Sequence, residues 1–221
     1  MFLARDRLGI KPLYYAPLDG GLRFASTLPA LLATAGIDTS IDPVALHHYM
    51  SFHAVVPAPH TIIQGVRKLP PATVRVIDAD GRSRDHRFWR LHFGARPEEQ
   101  RLTYEDWQEI TLDTLRRAVE RRLVADVPVG VLLSGGLDSS LIVGLLAEQG
   151  QRGLNTFSVG FESVDDEAGD EFQYSDIIAR HFDTDHHQIR VDSARLLPAL
   201  QHCIQAMSEP MVSHDVIGFY L

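Results

Sequence analysis

The segment Asp126-Val127-Pro128-Val129-Gly130-Val131-Leu132-Leu133-Ser134-Gly135-Gly136-Leu137-Asp138-Ser139-Ser140 runs from a short apolar strand through a glycine pair straight into a helix. In an open parallel sheet, ligands bind at the carboxyl ends of the strands. The N–H groups exposed where a helix starts favour anions. Gly135 and Gly136 let the backbone approach a phosphate closely and accept unusual dihedrals. Ser134, Ser139 and Ser140 add hydroxyl donors. Asp138 would repel a bare phosphate, so it is expected to act through Mg²⁺. The loop has neither the lysine and glycine spacing of a Walker A motif nor the spacing of GxGxxG. Without that lysine it need not serve γ-phosphoryl transfer. It suits a grip on pyrophosphate, in which the β- and γ-phosphates leave together while a substrate attacks the α-phosphate. The bland alternative is a glycine turn with a serine cap. The strand before, the helix after and the Asp-Ser-Ser tail together argue against it.

Downstream the pattern alternates. Val129 to Leu133 reads as a strand, Leu141 to Ala147 as a helix and Thr156 to Phe161 as a second strand. Tyr174 to Phe182 reads as a helix, His187 to Val191 as a third strand and Leu196 to Met207 as a further helix. Such alternation predicts an α/β fold, a parallel sheet covered by helices on both faces. Upstream, Trp107, Ile110, Leu112, Leu115, Val119 and Leu123 mark one long helix from about Tyr104 to Ala125. Residues 89–103 are polar, hold Gly94 and Pro97, and read as a linker. Residues 1–88 read differently, as short strands and turns. Leu13 to Ala16 and Leu22 to Ala25 flank Asp19-Gly20-Gly21, a hairpin signal, and Thr73 to Ile77 is a strand. A short helix is expected from Leu28 to Ala35 with Gly36 as its cap, and another after the Asp42-Pro43 start signal.

The 221 residues carry a net charge of -8, which argues against a nucleic-acid partner. Lys11 and Lys68 are the only lysines. The single cysteine, Cys203, excludes an internal disulfide and any cysteine-based zinc cluster, and makes a reducing, cytoplasmic location the default. No apolar run approaches the ~20 residues of a membrane span. Adjacent histidines such as His186 and His187 point to opposite faces of a strand, which speaks against a shared metal and for one buried and one exposed ring. The stretch from Glu162 to Asp176 holds seven acidic residues and reads as a solvated loop. The alternative is that it borders a carboxylate-substrate pocket.

The loop resembles the pyrophosphate loop of the N-type ATP pyrophosphatases, and the stretch from Arg121 through Ser140 resembles the asparagine synthetase family. So does Leu3-Ala4-Arg5-Asp6-Arg7-Leu8-Gly9-Ile10-Lys11-Pro12-Leu13-Tyr14-Tyr15, continued by Phe24-Ala25-Ser26, which is typical of the later part of that family's class II glutaminase domain. A narrower resemblance, to the N-acetylglutaminylglutamine amidotransferases, rests on four segments. They are Phe157 to Phe161, Gly169 to Phe172, Tyr174-Ser175-Asp176 and Ser208 to Asp215. The family resemblance implies an adenine nucleotide α-hydrolase-like sheet domain over residues 104–221. Before it come the linker and, over 1–88, the remainder of an α+β, Ntn-type glutaminase domain.

It also implies glutamine-dependent amide formation through an acyl-adenylate, with ATP and Mg²⁺ as cofactors. Residues 134 to 140 would hold pyrophosphate, Asp138 the metal, and Leu132 and Val159 the adenine. Expected partners are glutamine, a small carboxylate acceptor and a second copy of the chain, with no nucleic acid and no membrane. The acceptor is the capped dipeptide, an osmoprotectant precursor, or else aspartate, as in asparagine synthetase. The family's N-terminal cysteine nucleophile is replaced by Met1-Phe2, and Cys203 lies in a predicted helix, so no catalytic nucleophile is assigned. The chain is therefore expected to be an internal piece of a longer enzyme, lacking glutaminase activity and a complete synthetase site by itself. Two rival readings remain, a tRNA-thiolating enzyme, which needs cysteines and a basic face, and a non-catalytic nucleotide-binding remnant.

Overall fold

A computed structural model describes residues 1–161, 171–210 and 215–220. They fall into two compact units, Met1–Phe93 with Ala199–Tyr220, and Gly94–Pro198.

In the first unit, strands β1 (Phe2–Ala4), β5 (Thr73–Ile77) and β6 (Ser83–Arg87) form one antiparallel sheet in the order β1-β5-β6. Strands β2 (Tyr14–Leu18), β3 (Gly21–Ala25) and β4 (Arg67–Lys68) form another in the order β3-β2-β4. The hairpin expected at Asp19-Gly20-Gly21 pairs Tyr14 with Ala25 and Leu18 with Gly21. Helix α1 (Leu28–Leu32) is shorter than the sequence suggests. It ends at Ala33, so Gly36 lies beyond the cap. Helix α2 (Pro43–Ser51) starts as its sequence predicts, with Asp42 accepting from the N–H groups of Val44 and Ala45. Tyr14, Ala16, Leu28, Leu31 and Val66 form one core cluster, and Leu3, Tyr15 and Leu69 a second.

The Arg5-to-Lys11 turn is held by its own side chains. The Arg5 guanidinium donates to the carbonyls of Lys11, Leu69 and Gly9 at 2.7 to 3.1 Å. The Asp6 carboxylate accepts from the N–H groups of Leu8, Ile10 and Lys11 at 3.0 to 3.2 Å. Those donors, Lys11 foremost, hold the Asp6 carboxyl below the usual carboxylate range.

In the second unit, α3 (Tyr104–Arg122) opens with a capping box in which Thr103 and Asp106 bond reciprocally. Strands β7 (Gly130–Leu132), β8 (Asn155–Phe161) and β9 (Asp185–Val191) form a parallel sheet in sequential order. Helices α4 (Leu137–Glu148) and α5 (Phe172–Phe182) make the crossovers. The expectation that helices cover both faces is not met among the described residues. Right-handed crossovers between neighbouring strands put both helices on one side. Along β8, Thr156, Ser158 and Gly160 are accordingly buried, while Phe157, Val159 and Phe161 are only partly covered. Leu133, Val143 and Ala179 pack together beneath α4 and α5, and Val119 of α3 packs on Leu145 and Leu146 of α4. Full burial of an aliphatic side chain such as Leu133 contributes roughly 1.5–3 kcal/mol. Helices α6 (Leu196–Ala206) and α7 (Asp215–Tyr220) follow. Among the described residues no helix is long and apolar enough to cross a membrane.

Candidate functional site

The strand β7 stops at Leu132, and the chain turns through Leu133 to Gly136 into α4. The helix starts at Leu137, four residues before the apolar run that signals it, because the glycine pair ends directly at its cap. Gly135 has φ of +87°, and a Cβ there would lie 2.5 Å from Tyr174 Cβ and from the Ser175 nitrogen. Only glycine fits that close approach to the start of α5. Gly136 is the N-cap and offers no side chain to the first-turn N–H groups. Ser134 Oγ accepts from the Gly136 N–H at 3.2 Å and lies 3.1 Å from Ser139 Oγ. Ser139 Oγ in turn donates to the Gly136 carbonyl at 3.2 Å.

Two features stand out. The Ser140 hydroxyl oxygen is buried with no hydrogen-bond partner among the described residues. Asp138 is exposed in the first turn of α4. Uncapped N–H groups at a helix start favour an anion. The donor set fits a phosphate group, and Asp138 is the one carboxylate in the loop that could hold a divalent cation beside it. Among the described residues no cluster of three or more His, Cys, Asp or Glu forms an all-protein metal site. Leu132, the last residue of β7, is 54% exposed, and Val159, within β8, is half-buried.

Sequence reasoning missed what lies behind the loop. Ser158 Oγ donates to the carbonyl of Leu133. The Ser175 nitrogen lies against Gly135. Both serine hydroxyls, with Thr156, face the ring of His186, which β9 brings opposite Thr156. The available signal was Thr156-Phe157-Ser158, two small hydroxyls on one face of an apolar strand. His187 is the more exposed of the histidine pair and stacks on Phe157.

The segment after α6 also holds more than its sequence suggested. Within the first unit, Lys68 Nζ donates to both carboxylate oxygens of Glu209 at 2.9 and 2.8 Å, and the Tyr14 hydroxyl donates to Glu209 Oε1 at 2.9 Å. Ser208 Oγ accepts from the Leu28 N–H at 3.2 Å. Burial, and then the charge of Glu209, push the Tyr14 phenol well above its usual range. Cys203 is buried, as expected for a free cysteine in a helix. Residues 162–170 and 211–214 lie outside the described residues. They include most of the acidic stretch and, from the narrower resemblance, Gly169, Asp170, Ser213 and His214.

Comparison with known sequences bears on the same two regions. Residues 111–221 match the asparagine synthase family, and residues 1–89 match a glutamine amidotransferase domain. A putative glutamine-hydrolysing asparagine synthetase 2 of Methanocaldococcus jannaschii is 35% identical over 193 residues, covering 85% of this chain and 35% of that protein. The glutamine-hydrolysing asparagine synthetase 1 of Bacillus subtilis is 39% identical over 163 residues, covering 73% and 24%. A putative glutamine-hydrolysing asparagine synthetase of Mycobacterium tuberculosis H37Rv is 33% identical over 224 residues, covering 100% and 33%. The chain thus spans about a third or less of the length of these relatives.

Proposed function

Since the chain belongs to the asparagine synthase family, we propose that its protein makes an amide from a small carboxylate with glutamine as nitrogen donor and ATP as the activating substrate. The amidotransferase portion covers residues 1–88, residues 89–103 link, and the synthetase portion starts at 104. The carboxylate attacks the α-phosphate, the bond to the bridging oxygen of the β-phosphate breaks, and pyrophosphate leaves with that electron pair. Ammonia released from glutamine then attacks the acyl carbon, and AMP leaves. The work of this chain's residues is to hold the leaving group. The N–H groups at the start of α4, Ser134, Ser139 and Ser140 bind the departing phosphates. Gly135 and Gly136 allow them close to the backbone. Asp138 would hold Mg²⁺, which would supply neutralising charge there. Leu132 and Val159 flank the adenine. The observation that carries this reading is the helix start itself, where Gly136 as N-cap leaves the first-turn N–H groups of α4 without a side-chain acceptor and Gly135 makes a backbone approach that only glycine allows.

For the acceptor we favour N-acetylglutaminylglutamine, which makes the product an osmoprotectant of the cytoplasm. What supports this is the resemblance of the Phe157–Phe161, Gly169–Phe172, Tyr174–Asp176 and Ser208–Asp215 segments. The names of the relatives favour aspartate as the second reading. The protein is expected to act as a homodimer.

The test is release of AMP and pyrophosphate by the intact protein supplied with ammonia, ATP and Mg²⁺. One reaction contains the capped dipeptide, the other aspartate. Release with the dipeptide alone, reduced at least 100-fold in Asp138→Asn, is expected. Release with aspartate alone makes it an asparagine synthetase. Release with neither acceptor and no binding of ATP would leave only a nucleotide-site remnant.

A further inference from the structure

His186 stands at the centre of a buried group of hydroxyls directly behind the loop. Its Nδ1 lies 2.8 Å from Thr156 Oγ1, and its Nε2 lies 3.3 Å from Ser175 Oγ and 3.4 Å from Ser158 Oγ. Its side chain is only 10% exposed. Thr156 and Ser175 are fully buried and Ser158 nearly so. The directions of these hydrogen bonds follow from counting protons. A serine hydroxyl has one proton to donate. Ser158 gives its proton to the Leu133 carbonyl, and Ser175 gives its proton to the Phe172 carbonyl at 3.1 Å. Towards the imidazole, each oxygen can therefore only accept. Nε2 must carry a hydrogen, and one N–H is shared between two acceptors. In the neutral ring Nδ1 then accepts from Thr156, whose oxygen is free to accept from Thr184 Oγ1 at 2.8 Å. Asp176 Oδ1, 3.9 Å from Nε2, favours a hydrogen on that nitrogen.

We propose that His186, in its Nε2-protonated tautomer, is a positioning residue of the pyrophosphate loop, an inference that rests on the phosphate-binding reading above. The two hydroxyls it fixes reach the loop from both sides of Ser134. Ser158 holds the carbonyl of Leu133, the residue just before it. Ser175 belongs to the turn of α5 against which Gly135, the residue just after it, is pressed. One imidazole N–H thereby sets the spacing between the end of β7 and the start of α5. That spacing determines where the first-turn N–H groups of α4 point.

Two measurements test this. Long-range ¹H–¹⁵N NMR on histidine-labelled protein reads the tautomer of His186 directly, and calorimetry with inorganic pyrophosphate and Mg²⁺ reads the loop. The expected ring signature is Nε2–H. His186→Gln places an amide N–H near the Nε2 position and should keep pyrophosphate affinity within about threefold. His186→Asn reaches only as far as Nδ1 and should weaken it about tenfold, the loss of roughly one hydrogen bond's positioning. A merely structural histidine would lower the melting temperature of both variants without separating their affinities. An Nδ1–H ring, or undiminished binding by His186→Asn, overturns the proposal. Should both variants fail to fold, the tautomer of the wild-type ring decides alone. Wild-type protein that binds no pyrophosphate overturns the loop reading itself, and the positioning role falls with it.

Discussion

The polar side chains of the first unit are committed to each other, whereas at the loop of the second unit Ser134 and Ser139 bond to each other but Ser140 has no partner among the described residues. Asp42 caps α2 and lies 3.4 Å from His60 and 3.5 Å from Arg67. Lys68 and Tyr14 share Glu209. Arg5 and Asp6 use up the backbone groups of their own turn. In the second unit the helix that starts the candidate site has no side-chain cap, Ser140 carries a buried hydroxyl without a partner among the described residues, and Asp138 stands exposed. Leaving a buried hydroxyl unmade costs about 1–3 kcal/mol. The uncapped first turn of α4 and the exposed Asp138 are the groups left for a ligand. The difference therefore separates scaffold from site without any appeal to motif. Removing a committed group should lower stability, and removing an uncommitted one should lower ligand binding.

The largest effect is expected at Lys68. Its side chain is 11% exposed and that of Glu209 23%, so Lys68→Met strands a partly buried carboxylate. Breaking such a pair costs about 3 kcal/mol. Urea denaturation should show that loss in the transition of the first unit, with calorimetric pyrophosphate binding unchanged. A loss under about 0.5 kcal/mol, as for a surface pair, would show that the commitment of the first unit is only apparent. Ser140→Ala should act with the opposite sign. It deletes an orphaned hydroxyl, so the protein should gain about 1 kcal/mol in stability while pyrophosphate affinity falls several-fold. A destabilised Ser140→Ala protein would mean that the hydroxyl already has a partner, and the contrast between the units would collapse.

How far the sequence could be read follows the same division. The candidate site was legible as a candidate because its residues are contiguous. Ser134 to Ser140 sit between a strand and a helix whose apolar periods differ, and the Asp42-Pro43 start and the Gly20-Gly21 hairpin are equally local signals. What escaped depends on partners far along the chain. Glu209 meets a lysine 141 residues away, and Ser208-Glu209-Pro210 by itself reads as the end of a helix. His186 meets Ser175, Ser158 and Thr156 only because β8 and β9 pair with Thr156 opposite His186. The one-sided cover of the sheet also depends on strand order. Strand-helix alternation does not encode that order, and only sequential order puts α4 and α5 on the same face.

The smallest effect is a slope. Asp6 is exposed, yet its carboxylate takes three backbone N–H bonds, so its folded pKa lies below the ordinary value. For a carboxyl lowered on folding, the unfolded chain binds the proton more readily. The contribution to stability is complete above the unfolded value, roughly pH 4, and is lost as pH falls through the lower folded value. Asp6→Asn keeps one acceptor oxygen but turns an N–H₂ towards the Lys11 N–H. The variant should be less stable than the parent at neutral pH, and the gap should close in acid below about pH 4. Denaturation midpoints measured from pH 7 down to pH 2.5 would show it. A gap that stays constant with pH would mean that the turn holds Asp6 by shape and not by charge. Ser140→Ala provides the contrast, since it alters no titrating group. Its stability gain should displace the whole curve and leave the acid slope of the parent intact.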